Sequence, residues 1–160
     1  MHKLTFQPPA DAPTALVVDL ESRSLYELCK AFRELGYRTF GATSFSDAKR
    51  VLIGEHPEVL VADVRLGEFN GIQLLLIAKE LRPSIAVVIT NAFADSVLAA
   101  ETRRMGGTFM VKPIDVGELL ETVRVRSNPL DVVDRRRGER RLLHIPNYSP
   151  ERRVSGRRRQ

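Results

Sequence analysis

Four polar residues stand where four short apolar runs end: Asp19, Asp63, Thr90 and Lys112. Ala15-Leu16-Val17-Val18 runs into Asp19 and Val59-Leu60-Val61-Ala62 into Asp63. Ile85 to Ile89 leads to Thr90, and Thr108 to Val111 leads to Lys112. If the four runs are neighbouring strands, two carboxylates, a hydroxyl and an ammonium converge on one edge. Carboxylates held close together repel unless a cation joins them, and hard oxygen ligands with an open face suit Mg²⁺. A carboxylate in such a pocket can attack a phosphoryl donor and form an acyl phosphate. The metal and the lysine would neutralise charge on the transferring oxygens, while the hydroxyl bonds one of them. Singly, each residue has a plain structural reading as a cap, a β-former or a solvated lysine. Their joint placement carries the chemistry.

The elements that must position them can be read from periodicity. Each apolar run is short and continuous, as expected of strands buried on both faces. Between the runs lie amphipathic stretches: Leu25, Leu28, Cys29, Phe32 and Leu35 recur at helical spacing in 23–35, and Gly36 stops that helix. Tyr37 to Ala42 forms a second strand, and Ser44 fits an N-cap for a helix through Ala48, Val51 and Leu52. Gly67 and Gly71 bracket a loop before a helix from Ile72 to Leu81, which Pro83 closes. A weaker helical pattern covers Ala94 to Arg104, and Val116 to Val125 supplies a fifth helix. The pattern is (βα)5, with connections that suit only parallel strands joined by helical crossovers. In an open parallel sheet, ligands sit at the carboxyl ends of the strands, near the topological switch point.

Composition sets the surroundings of this domain. At 160 residues the chain has room for one ordinary domain and a tail. No apolar run reaches the ~18–20 residues of a membrane helix, and residues 1–13 read as a flexible leader, so a cytoplasmic location is expected. The single cysteine, Cys29, excludes an internal disulfide and falls within an apolar helical pattern. The formal net charge of +5 is unevenly spread: residues 127–160 hold ten arginines against four acids, leaving 15 basic and 16 acidic residues elsewhere. That basic tail, rich in Arg pairs among Pro, Gly and Ser, reads as mostly disordered. It offers a non-specific contact to an anionic partner, nucleic acid or a membrane surface. Its 34 residues are too few for a DNA-binding domain with its own core.

Val17-Val18-Asp19, Val61-Ala62-Asp63, Ile89-Thr90 and Val111-Lys112-Pro113, in this order and spacing, resemble the signature blocks of response-regulator receiver domains over residues 14–126. The resemblance implies an α/β fold of flavodoxin-like type, a doubly wound five-stranded parallel sheet. It makes Asp63 the phosphoacceptor and places Asp19 in an acidic Mg²⁺ pocket, with the backbone carbonyl of Arg65 as a further ligand. Thr90 becomes the switch hydroxyl, Phe109 the aromatic switch residue, and Lys112 the lysine that contacts the phosphoryl group. Gly71 matches the glycine after the acceptor loop, and Lys112-Pro113 matches a peptide bond that is typically cis in this family. The implied partners are a histidine kinase or phosphotransfer protein and an output protein. The implied activity is signalling, with self-catalysed phosphotransfer and dephosphorylation at most, and not turnover of a substrate.

Three positions depart from that pattern. Leu20 stands where a second carboxylate is usual, so Mg²⁺ should be held weakly unless Glu21, one residue later, reaches in. Asn91 follows the switch hydroxyl where a small residue is usual, and its amide is expected to crowd the acyl phosphate. Gly67 replaces a frequent proline and is expected only to loosen its loop. An alternative reading is an atypical receiver that acts through protein contacts without phosphorylation. A third is an aspartyl phosphohydrolase, but its second aspartate would fall at Arg65. A flavin-binding module is a further competitor, yet no phosphate-cradling loop is visible.

Overall fold

A computed structural model describes residues 7–126 of the chain. Five strands, β1 (Thr14–Val18), β2 (Arg38–Ala42), β3 (Val59–Asp63), β4 (Ala86–Asn91) and β5 (Thr108–Val111), form one sheet. Its order is β2-β1-β3-β4-β5, and every neighbouring pair is parallel. Five helices alternate with the strands: α1 (Ser22–Glu34), α2 (Phe45–Glu55), α3 (Gly71–Leu81), α4 (Ser96–Arg104) and α5 (Val116–Arg126).

The period of two in a strand divides the core into two layers. Leu16, Val18, Leu60, Ala62, Val87 and Ile89 face α2 and α3 and pack on Leu52, Leu74 and Leu75. Ala15, Val17, Val59, Val61, Ala86 and Val88 face the other way, onto Phe32 of α1 and Leu119 and Val123 of α5. Cys29 lies in this second layer, where burial raises its thiol pKa and the nearby Arg33 opposes the rise in part. Leu16, Leu60, Leu74 and Leu119 are wholly buried. Each contributes about 1.5–3 kcal/mol through removal from water. Because both faces of the sheet are covered, the inner strands β1, β3 and β4 are buried along almost their whole length, which is why they appear in the sequence as apolar runs.

Local chemistry fixes the element ends. Ser44 caps α2 by accepting from the Asp47 N–H, as its position suggested, and Gly36 ends the α1 turn at a φ of 88° that favours glycine. Helix α4 begins later than the expected Ala94, because the Asp95 carboxylate accepts from the Val97 and Leu98 N–H groups as N-cap. Ile85 belongs to the turn before β4, its N–H bonded to the Arg82 carbonyl, so that strand is displaced by one residue from the expected run. One element was not expected at all. Arg65–Leu66 and Phe69–Asn70 pair antiparallel as a short ribbon directly after β3.

Candidate functional site

Strand β1 lies between β2 and β3, with the later strands added beyond β3, so the winding direction reverses there and leaves a crevice at the carboxyl edge. Asp19 follows β1 and is only 3% exposed. Asp63 closes β3 directly opposite Thr90 of β4 in the register. Lys112 follows β5, whose peptide bond to Pro113 is cis. The ammonium of Lys112 lies between the two carboxylates, 2.7 Å from Asp19 Oδ2 and also bonded to Asp63 Oδ2. The side chains of Asp63 and Lys112 are 14% and 20% exposed.

The remaining carboxylate oxygens are taken by backbone. The Glu21 N–H donates to Asp19 Oδ1 and the Arg65 N–H to Asp63 Oδ1, each at 2.8 Å. Each aspartate thus bonds the N–H two residues on, which fixes both carboxylates before any ligand arrives. Burial pulls the Lys112 pKa down, but hydrogen bonds and charge from Asp19 and Asp63 outweigh it and leave the ammonium above its ordinary range. Two carboxylates against one ammonium still leave one negative charge in excess.

The acceptor loop is held from several sides. The Val64 N–H donates to the Thr90 carbonyl, and the Gly71 N–H to the Val64 carbonyl. A Cβ on Gly71 would come within 2.4 Å of the Asp63 carbonyl oxygen, so only glycine fits. Gly67 has a φ of 70°, which opens the ribbon's turn and which proline cannot adopt. The expectation that Gly67 merely loosens the loop is therefore corrected: it makes the ribbon. Asn70 and Gln73 form a reciprocal capping box at the start of α3. That spacing was visible in the sequence and could have been found. Phe69 stacks on Phe45 of α2 with ring centroids 4.4 Å apart.

Asp19, Asp63, Thr90 and Lys112 are thus brought to one edge, and Phe109 packs half-buried against the core layer beneath α2 and α3. Leu20 is 49% exposed. Glu21 lines a cleft of about 460 Å³ with Ser24, Ala92, Lys112 and Pro113. It does not join the two aspartates, since among the described residues no three acids, histidines or cysteines cluster closely enough to hold a metal. Asn91 was expected to crowd the site, but its amide donates to the Phe93 carbonyl at 3.0 Å, engaged along its own loop. The donors present suit Mg²⁺ in kind, because that ion accepts one or two carboxylates and retains waters. It would have to compete with the Lys112 ammonium for the same oxygens.

The family model for the response regulator receiver domain matches residues 15–124. The chain belongs to the receiver domain family. The receiver is 27% identical to sporulation initiation phosphotransferase F of Bacillus subtilis over 68% of this chain and 89% of that protein. It is 31% identical to the DNA-binding transcriptional regulator NtrC of Proteus hauseri over 67% of this chain but only 23% of that regulator. Among solved structures, the CheX–CheY–BeF3–Mg²⁺ complex from Borrelia burgdorferi shares its fold. That likeness has a TM-score of 0.63 and 22% identity, over 69% of this chain and 86% of that one. This is a two-component signalling domain rather than a conventional enzyme, and its family generally binds Mg²⁺. No described helix is long and apolar enough to cross a membrane. The arginine-rich segment 127–160 lies outside the described residues.

Proposed function

We propose that Asp63 accepts a phosphoryl group from a phosphohistidine of a kinase or phosphotransfer protein in the cytoplasm. The observation that carries this reading is the Lys112 ammonium held between Asp63 and Asp19 at the switch-point edge. In the transfer, an Asp63 oxygen attacks phosphorus, the P–N bond to the donor imidazole breaks, and an acyl phosphate forms. Lys112 then follows the charge from the free carboxylate to the phosphoryl oxygens, and Thr90, opposite Asp63, supplies a hydroxyl to one of them. Phe109, which pairs with Ile89 in the register, would turn inward as Thr90 moves.

Asp19, Asp63 and the Arg65 carbonyl would hold Mg²⁺, which supplies charge neutralisation on the transferring oxygens when bound. Leu20 in place of a carboxylate makes that binding weak. The Leu20 side chain, exposed next to the Lys112-bridged aspartates, favours a second reading. In it, the unphosphorylated domain is itself the signalling form, acting through protein contacts. Output passes through the receiver surface, and the arginines beyond residue 126 supply a non-specific anionic contact.

Incubation with acetyl phosphate, with and without Mg²⁺, tests the first reading. Labelling should require Mg²⁺ at high concentration and vanish in Asp63→Asn. Absence of labelling in the parent protein under every condition would favour the second reading.

A further inference from the structure

We propose that Asn91 is a latch: its side chain holds the β4–α4 loop in the resting, lysine-filled arrangement, and so restrains entry of a phosphoryl group at Asp63. This inference rests on the phosphoacceptor reading of Asp63.

Asn91 is the last residue of β4 and is 7% exposed. Its Nδ2 donates to the Phe93 carbonyl, two residues along the loop, at 3.0 Å. Its own carbonyl accepts from the Lys112 N–H at 2.8 Å, and the preceding Thr90 carbonyl accepts from the Val64 N–H. One strand end is therefore stitched to the lysine, to the acceptor loop and to the loop that follows it. Ala92, between the two ends of the Asn91–Phe93 bond, lines the same cleft as Lys112 and Pro113. Beyond it Phe93 is 67% exposed, without packing that would hold the loop by itself.

A phosphoryl group on Asp63 adds three oxygens where Lys112 now bridges two carboxylates. As it forms, the ammonium must shift from the free carboxylate to the new oxygens, while the Lys112 N–H stays bonded to the Asn91 main-chain carbonyl. Thr90, adjacent to Asn91, must also turn its hydroxyl toward the new group. The movement of Thr90 shifts the strand end whose next residue, Asn91, fastens the loop through its side chain. The Asn91 amide thus stabilises the empty site relative to the occupied one, and acts on the chemistry only as a positioning residue.

The test titrates the full chain with beryllofluoride in saturating Mg²⁺, read by thermal shift and by hydrogen exchange across residues 92–95. Asn91→Ala and the similarly branched Asn91→Leu, which lacks the donor, are compared with the parent protein. Both variants should bind beryllofluoride about three- to tenfold more tightly, the scale of one hydrogen bond. Exchange in 92–95 should be faster before the anion is added. A purely structural Asn91 would give the opposite pairing, with lower stability and weaker binding together. Unchanged or weaker binding in the variant that folds overturns the latch. If the parent protein binds no beryllofluoride at all, it is the phosphoacceptor reading that fails.

Discussion

The two edges of the sheet each carry a carboxylate–cation cluster, and they are built to different ends. At the amino edge, Glu58 pairs with Arg82 at 3.3 Å and accepts from the Thr14 N–H at 2.6 Å. Arg82 in turn donates to the His56 carbonyl and to Ser84. One carboxylate meets one guanidinium, the charges cancel, and the groups tie β1, β3 and the α3–β4 turn together. At the carboxyl edge, Asp19 and Asp63 share one ammonium, so one negative charge remains uncompensated. Neutral and fully bonded, the first cluster is a clamp. The second has an excess charge that a metal or a phosphoryl oxygen bonded to Lys112 can redistribute.

Substitutions can break this comparison, and the largest effect should come from Asp63→Asn. It should abolish acyl-phosphate formation, a loss beyond measurement of about a thousandfold or more, while the melting temperature changes little. Glu58→Ala should do the reverse. It strands the Thr14 N–H and the Arg82 guanidinium and should destabilise the fold by about 1–3 kcal/mol, on the scale of an unsatisfied buried partner. Labelling of the folded fraction should be unaffected, and a large loss of labelling would show that the two edges are not independent.

Leu20→Asp sharpens the second cluster. A further carboxylate at the crevice should tighten Mg²⁺ by about tenfold, the scale on which ligand charge tunes such sites, measured as a Mg²⁺-dependent rise in melting temperature. No change would mean that the exposed position 20 does not face the cation.

The smallest effect concerns pH. The folded Lys112 pKa lies above the ordinary value of 10.5, so its stabilising contribution is complete below that value and is lost as pH rises through the folded pKa. The stability difference between the parent protein and Lys112→Met should therefore stay level across neutral pH and drift toward the variant only in strong alkali. A change near pH 7 would contradict the bridging ammonium.

Most of the fold was legible because strands buried on both faces cannot hide their apolar runs, as in Val59 to Ala62. The ribbon at Arg65–Leu66 and Phe69–Asn70 was not, since two-residue strands leave no periodicity to read. The site was legible as four strand ends. Its wiring was not: that Lys112 bridges both aspartates depends on side-chain reach across the sheet, which spacing does not encode. Asn91 shows the same limit, since residue type suggested bulk near the acyl phosphate, whereas its amide follows the local backbone to Phe93. Leu20 was read as a missing ligand from the pattern of the resemblance, not from spacing or burial.

The most direct measurement is to locate the phosphoryl group itself. After reaction with acetyl phosphate and Mg²⁺, borohydride reduction converts a phosphorylated aspartate to homoserine, which peptide mass spectrometry assigns to one residue. Homoserine at position 63, absent from Asp63→Asn, is the expected result. Homoserine at position 19 or elsewhere, or a label that survives Asp63→Asn, would contradict the assignment of Asp63 as the acceptor.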